Sequence, residues 1–203
     1  MELLQYFKAC LEAEYIHEEN GASWAVEDHG EECWILFEKS NGLTDWLNNL
    51  QFHAVPYKEM NPVWQCHGGF LKVWNSIKPH LEQPVQKALR NHQRLVVVGY
   101  SHGAAIAVLC HEWLYYHFPV ARKTLMGFGF GCPRVLYGCA TPALAQRWQN
   151  FYVVRNLDDA VTHLPPRVMG YCHVGNLITV GNDGTYSPFE AHTPENYLKE
   201  LRF

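Results

Sequence analysis

The sequence predicts an α/β protein in which a mostly parallel central sheet is covered by helices on both faces. The run 94–99 is apolar and β-branched after its first residue, as expected for a strand buried on both faces. A helical pattern over 104–117 follows it directly and ends at Pro119. Further strand-like and helical runs alternate along the chain, which favours parallel strands with crossover helices. At 203 residues, we expect one domain over 1–203.

The other elements follow from hydrophobic spacing. Helical patterns cover the start of the chain, where Leu3, Leu4, Phe7, Leu11 and Tyr15 recur, and the ranges 70–92, 142–149 and 192–201. Strand-like runs cover 23–27, 32–37, 124–130, 151–155 and 177–180. Pro79 and Pro84 are expected to break, kink or begin segments within 70–92, because proline removes a helical N–H donor.

The composition excludes several classes of protein. Hydrophobic residues make up 48% and charged residues 18% of the chain, so it can bury a core and is not globally disordered. The formal charge is -4, which gives no electrostatic basis for binding nucleic acid.

The ends and the cysteines bear on localisation. The N-terminus lacks a basic start, an apolar run and a small-residue cleavage site, and no apolar stretch is long enough for a transmembrane segment. The seven cysteines form no C-x-x-C pair, which favours free thiols in a reducing compartment. We therefore expect a cytoplasmic protein, or a secreted one if a leader has been removed.

A pentapeptide at the junction of the 94–99 strand and the following helix carries the strongest chemical signal. Gly99-Tyr100-Ser101-His102-Gly103 has the G-x-S-x-G pattern in the strand–turn–helix context that a nucleophilic serine requires. Glycines on either side let the tight turn pass close to neighbouring backbone. The alternative is a glycine-rich turn with an incidental serine, serving for example phosphate binding, but neither Walker nor G-x-G-x-x-G spacing is present.

Several ordered blocks accompany this motif: Phe37-Glu-Lys-Ser40 with Leu43-Thr-Asp-Trp46, His67-Gly-Gly-Phe70, Gly131-Cys-Pro-Arg-Val135, Asp159-Ala-Val-Thr-His-Leu-Pro-Pro166 and Tyr171-Cys-His-Val-Gly175. In this order they resemble the class 3 lipases, a fungal-type triacylglycerol lipase family of the α/β-hydrolase fold, over about residues 34–200. The chain departs from the family at Glu38-Lys39, where the family has Arg-Gly, and at His102 and Ala104, where it has Leu and Gly.

A serine nucleophile of this type needs an imidazole base and a buried carboxylate. The chain order Ser, Asp, His leaves His163, His173 and His192 as candidates for the base. The resemblance implies Asp159 and His192 as the partners of Ser101, with His173 structural. Asp158 is the neighbouring alternative to Asp159, more typical of a solvated or loop-bonding residue.

Hydrolysis also requires donors for the developing oxyanion. The backbone N–H of His102, which follows the serine, is one candidate. The resemblance implies Ser40 as the other, although an ordinary turn or N-cap serine would look the same in sequence. The His102 imidazole is interpreted as a wall residue and not as a second base.

The expected activity is acyl-enzyme hydrolysis of a lipid or other ester, which requires no metal and no organic cofactor. Segment 41–62 is a candidate lid, because Leu43, Trp46, Leu47 and Leu50 share one face of a short helix and could make transient contact with a lipid–water interface. Its alternative is a surface helix docked on the core.

Two other function classes fit parts of the pattern. A lipase-like binding or signalling module could keep the fold without the chemistry. A thioesterase or peptidase could use the same triad. Covalent labelling of Ser101 and a comparison of oxygen-ester, thioester and amide turnover separate these alternatives.

Overall fold

The computed structural model describes residues 3–18, 22–38, 53–59, 64–138 and 146–202. Its helices are α1 (Leu3–Glu12), α2 (Gly68–Arg90), α3 (His102–His117) and α4 (Pro194–Glu200). Its strands are β1 (Ile16–His17), β2 (Ser23–His29), β3 (Glu32–Phe37), β4 (Ala54–Tyr57), β5 (Trp64–His67), β6 (Arg94–Tyr100), β7 (Met126–Phe130), β8 (Leu136–Tyr137), β9 (Phe151–Asn156), β10 (Tyr171–Cys172) and β11 (Asn176–Val180).

Within the described ranges, the main sheet has seven strands in the order β1-β2-β3-β6-β7-β9-β11. The β1–β2 and β2–β3 pairs are antiparallel, and every pair from β3 to β11 is parallel. β6 lies in the middle, and all of it except Arg94 is buried, as its apolar sequence predicts. The mostly parallel sheet predicted from sequence is confirmed.

Helices cover both faces of this sheet, so β6 contributes alternate side chains to two cores. Leu95 and Val97 pack with the apolar faces of α2 and α3 in the larger core. Val96, Val98 and Tyr100 pack with α1 and α4 in the smaller one. Because both layers are well filled, the carboxyl ends of β6, β7 and β9 are held at one edge of the sheet, and the functional side chains gather there.

A second, antiparallel sheet with the order β10-β8-β5-β4 flanks the start of α2. Its strands are two to four residues long, too short for a clear period-2 pattern, and most of it was not predicted from the sequence.

The main difference from prediction is that α2 runs unbroken through Pro79 and Pro84. An apolar stripe at helical spacing is buried along its whole length and outweighs the loss of two N–H donors: Phe70, Trp74, Ile77, Leu81, Val85 and Ala88. Of the helix expected over 142–149, the described part is a 3-10 turn, Gln146–Trp148.

The final helix begins at Pro194, with Thr193 as N-cap, and not at His192 as the sequence suggested. In the described part of the chain, no helix is both long and apolar enough to cross a membrane.

Candidate active site

Ser101 occupies a sharp turn between β6 and α3. Its φ of 58° and ψ of -121° are strained for a residue with a side chain. Two glycines make the turn sterically feasible. A Cβ on Gly99 would lie 2.2 Å from the Gly103 carbonyl oxygen, and one on Gly103 would lie 2.2 Å from the Phe37 carbonyl oxygen. The G-x-S-x-G spacing therefore follows from the close approach of β6, α3 and the end of β3.

The turn places the Ser101 hydroxyl against an imidazole. Ser101 Oγ and His192 Nε2 are 2.8 Å apart, and His192 Nδ1 lies 2.8 Å from Asp159 Oδ2. All three residues are buried, with Ser101 2%, Asp159 0% and His192 3% exposed. The three side chains form one hydrogen-bonded chain whose geometry permits proton transfer from the hydroxyl to the imidazole.

The two oxygens of Asp159 are held by different groups. Oδ1 accepts the Val161 N–H at 2.9 Å, so the carboxylate caps the 3-10 turn Ala160–His163. Oδ2 faces His192 and also accepts the Tyr197 hydroxyl at 2.6 Å. These hydrogen bonds satisfy both oxygens of a buried carboxylate and fix its orientation.

The backbone of His192 is held from two sides. The Tyr100 hydroxyl donates to the His192 carbonyl, and the Tyr100 ring stacks on the imidazole at 5.3 Å between centroids. Asn156 donates through Nδ2 to the preceding carbonyl, that of Ala191, at 3.0 Å. Gly131 leaves room for the ring, since a Cβ there would lie 2.7 Å from His192 Cε1.

Both tyrosines remain protonated donors. Burial, followed by the negative charge of Asp159, raises the pKa of Tyr197 well above its usual value, and the same two causes raise the pKa of Tyr100. Both hydroxyls therefore keep their hydrogens at neutral pH.

His102 begins α3, so its backbone N–H lies at the N-terminus of a helix, where the backbone dipoles favour negative charge. The carboxyl end of β3 lies beside this point, because Phe37 O approaches Gly103. Ser40 follows β3 by three residues but lies outside the described residues, as do Leu43, Trp46, Leu47 and Leu50. The predicted oxyanion role of Ser40 and the predicted lid face stay predictions.

The His102 imidazole packs edge-on against Phe70, at 5.5 Å between ring centroids. Burial, with a contribution from His67, lowers the pKa of His102 to about 4. Burial also lowers the pKa of His67 to about 4, with a contribution from His53. Both rings are therefore neutral at neutral pH.

The competing candidates from sequence lie elsewhere. Asp158 accepts the N–H groups of Gly184 and Tyr186 at 2.9 and 3.0 Å, so it anchors a loop, as its alternative interpretation stated. His173 makes a 2.8 Å hydrogen bond with the Thr162 carbonyl, and His163 is exposed. In the described part of the chain, the structure brings Asp159 and His192, and neither of the other histidines, to Ser101.

Sequence reasoning missed the supporting roles of Tyr197, Tyr100 and Gly131. Gly131 and Tyr100 did lie within recognised blocks, but nothing in those blocks indicated contact with His192. In the sequence, Tyr197 is only an aromatic residue on the buried face of a short helix. Its partner Asp159 lies 38 residues earlier, so no local motif links the two.

Comparisons with known proteins identify relatives of this chain. The chain is 28% identical over 169 residues to a lipase from Rhizomucor miehei, covering 77% of this chain and 44% of that protein. It is 29% identical over 158 residues to secreted mono- and diacylglycerol lipase 1 from Fusarium solani, covering 75% of this chain and 45% of that protein. The chain thus spans less than half the length of these curated relatives.

Among solved structures, lipase II from Rhizopus niveus superposes with a TM-score of 0.72 at 24% identity. The superposition covers 86% of this chain and 67% of that one, and it confirms the α/β-hydrolase fold. The model of the family described as lipase (class 3) matches residues 34–169, which is more than half of the chain. The chain therefore belongs to the class 3 lipase family.

Proposed function

We propose that this protein hydrolyses carboxylic esters of acylglycerols or related lipids through a covalent acyl-enzyme. The observation that carries the proposal is the hydrogen-bonded chain from Ser101 through His192 to Asp159, mounted on a strained strand-to-helix turn. Membership of the class 3 lipase family supports the same chemistry.

In the first step, His192 Nε2 takes the proton as Ser101 Oγ attacks the ester carbonyl carbon. Asp159 keeps Nδ1 protonated and stabilises the imidazolium. The tetrahedral intermediate collapses, the carbon–oxygen bond to the alcohol breaks, and the alcohol leaves with the proton from His192. Water then attacks the acyl-serine by the same route, which releases the carboxylic acid and restores Ser101.

The oxyanion of each intermediate needs donors that are already in place, each typically contributing about 3 kcal/mol. The proposed donors are the backbone N–H of His102, supported by its place at the start of α3, and Ser40, supported by the position of β3 beside Gly103.

Acylglycerols are proposed as substrates because relatives of this chain are named as lipases, including one named for mono- and diacylglycerols. That relative is also named as secreted, which agrees with the secreted alternative and gives the cytoplasmic expectation no support.

Within segment 41–62, the part that precedes β4 is proposed as the lid, on its amphipathic pattern, because Ala54–Tyr57 is paired with β5 in the second sheet. Burial of Ser101 supports the proposal, because a residue that is only 2% exposed must be uncovered before a substrate can reach it. A lid that opens at lipid predicts a rise in specific activity once a short-chain triacylglycerol exceeds its solubility. If specific activity instead follows one saturation curve with substrate concentration below and above that limit, an esterase without a lid is favoured.

The proposed chemistry is tested by hydrolysis of p-nitrophenyl esters of increasing chain length by wild type, Ser101→Ala and Asp159→Asn. We expect Ser101→Ala to be inactive and Asp159→Asn to lose ~10³- to 10⁴-fold in kcat. Faster turnover of a matched thioester or amide than of the oxygen ester would redirect the assignment to a thioesterase or peptidase.

A further inference from the structure

Three arginines lie close together at the sheet edge that holds Ser101. Arg134 follows β7 and donates through Nη1 to the carbonyls of His163 and Pro165, the latter at 2.9 Å. Arg167 begins the 3-10 turn Arg167–Met169 just beyond Pro165. Arg155 lies near the end of β9. Burial lowers the pKa of Arg134, and the nearby positive charges of Arg167 and Arg155 lower it further.

No carboxylate in the described part of the chain neutralises these arginines. Among the described residues, none of the three forms an ion pair with a carboxylate. In the same part of the chain, the buried Nε of Arg155 has no hydrogen-bond partner. The chain as a whole carries a charge of -4, so a cluster of unpaired positive charge stands out against its acidic background and favours an anionic partner.

Apolar side chains project beside this charge. Val168 is 93% exposed, and Met169 and Tyr137 are 41% and 38% exposed. Tyr137 belongs to the same surface, because the Gly138 N–H donates to the Gly170 carbonyl at 2.8 Å and a Cβ on Gly170 would lie 2.7 Å from the Tyr137 ring. We name the surface formed by Arg134, Arg155, Arg167, Tyr137, Val168 and Met169 the basic face.

The basic face is linked directly to the proposed triad. The 3-10 turn Ala160–His163 begins one residue after Asp159 and ends at the carbonyl that accepts from Arg134. The Thr162 hydroxyl, in the middle of this turn, donates to the Asp159 carbonyl at 2.8 Å. A partner bound to the basic face is therefore held at the edge of the sheet where Ser101 lies.

We propose that the basic face docks the protein on an anionic lipid surface. Exposed apolar side chains insert at headgroup depth, while arginines bind the phosphates, and each arginine near such a surface strengthens binding about fivefold. This inference rests on the proposed lipid-ester hydrolysis. It further specifies which surface of the protein contacts the lipid and that the lipid is anionic.

The test is cosedimentation of the Ser101→Ala protein with vesicles, so that no lipid is consumed. One set is phosphatidylcholine alone, and the other is phosphatidylcholine and phosphatidylglycerol in equal parts. We expect binding to the mixed vesicles only, weakening as salt rises. Arg167→Glu should weaken it about tenfold or more, since it removes a positive charge and adds a negative one, and Val168→Asp should weaken it several-fold.

Two matched controls lie at the opposite edge of the sheet, after α3. Lys123→Glu makes the same change of charge, and Val120→Asp alters a valine that is 78% exposed. Both should bind the mixed vesicles as the parent does.

Equal binding to both vesicles, binding to neither, or equal loss in the control variants would overturn the docking proposal. Hydrolysis of a soluble short-chain ester by the wild type is measured separately. Its absence would refute the enzymatic proposal whatever the vesicles show.

Discussion

Ser101 holds a backbone conformation that few side-chain-bearing residues adopt, and two glycines keep space for it. Strain of this kind amounts to about 1–3 kcal/mol and persists only where the surroundings enforce it. At Ser101 the enforcing groups are the Gly103 backbone, which lies against Gly99, and the Phe37 carbonyl, which lies against Gly103. The turn places the Ser101 hydroxyl against the His192 imidazole, so a local loss of backbone stability accompanies the position that the reaction requires.

Gly103→Ala tests this account of the turn. Its Cβ would lie 2.2 Å from the Phe37 carbonyl oxygen, so β3 and α3 must separate. We expect a loss of about 2 kcal/mol or more in the free energy of unfolding and at least a ~100-fold loss of ester hydrolysis. Gly30→Ala is the control: its positive φ of 72° strains the substituted backbone, but the Cβ meets nothing within 4 Å, so hydrolysis should be unchanged. Wild-type activity in Gly103→Ala would contradict the account.

Tyr197 is predicted to position the carboxylate of Asp159. Tyr197→Phe removes the 2.6 Å hydrogen bond to Oδ2, so the carboxylate and, through it, the imidazole of His192 are held less firmly in the reactive orientation. We expect kcat to fall about tenfold with little change in KM, measured on a soluble ester. Tyr186→Phe, which removes a 2.6 Å bond to Glu200, is the matched control and should keep the wild-type kcat. An unchanged kcat in Tyr197→Phe would leave Tyr197 with a packing role only.

At the scale of elements, α3 carries polar groups deep into the larger core. His111 is 1% exposed and stacks on Trp148 at 4.9 Å between ring centroids. Glu112 is fully buried and lies 3.1 Å from Arg147. Burial lowers the pKa of His111 to about 3 and raises that of Glu112 to about 7, the latter opposed by Arg147. Both pKa shifts arise because burial in the core disfavours the charged form of the side chain.

His111 therefore makes stability depend on pH. The unfolded chain takes up the His111 proton near pH 6.5 and the folded chain only near pH 3, so the contribution of His111 lowers stability as pH falls through that window. This contribution is up to about 1.4 kcal/mol per pH unit, and the raised pKa of Glu112 opposes it between about pH 7 and 4.5. His111→Phe should remove the His111 contribution, so that stability falls less, or rises, from about pH 7 to about pH 5, as measured by urea unfolding. His80→Phe, at a half-exposed site stacked on Trp24, should keep the wild-type slope. An unchanged slope in His111→Phe would refute the assignment.

The elements show what local sequence can predict. β6 and α3 were predictable because their apolar residues are continuous and the glycine-flanked serine marks the junction. α2 was predicted as interrupted, because two prolines are a local signal while the buried stripe from Phe70 to Ala88 is held by tertiary packing. Asp159 and His192 were expected from the family resemblance together with the chain order of serine, aspartate and histidine. The Tyr197 contact was not, since it depends on how α4 packs on β9.

At the scale of the whole molecule, aromatic packing joins the first and last described helices across the sheet. Phe7 of α1 is fully buried and contacts Tyr100 of β6, Phe130 of β7 and Tyr197 of α4, with ring centroids 5.3, 4.8 and 5.6 Å apart. Two of these rings, Tyr100 and Tyr197, also hold His192 and Asp159. The smaller core therefore packs against the two tyrosines that hold residues of the proposed triad.

Phe7→Ala tests this long-range support. The cavity should lower the free energy of unfolding by about 3–5 kcal/mol, measured by denaturant unfolding. Ester hydrolysis should fall as well, because Tyr100 and Tyr197 lose a packing partner. Phe189→Ala, at a phenylalanine that is 62% exposed, should change stability by no more than about 0.5 kcal/mol. Equal effects of the two substitutions would show that α1 does not contribute in this way.

The central claim is that Ser101 is a nucleophile activated by His192 and Asp159. The most direct test is reaction with a fluorophosphonate followed by peptide mapping. We expect one modified peptide, that containing Ser101, no labelling of Ser101→Ala, and much slower labelling of His192→Ala. Labelling at another residue, or undiminished labelling of Ser101→Ala, would contradict it.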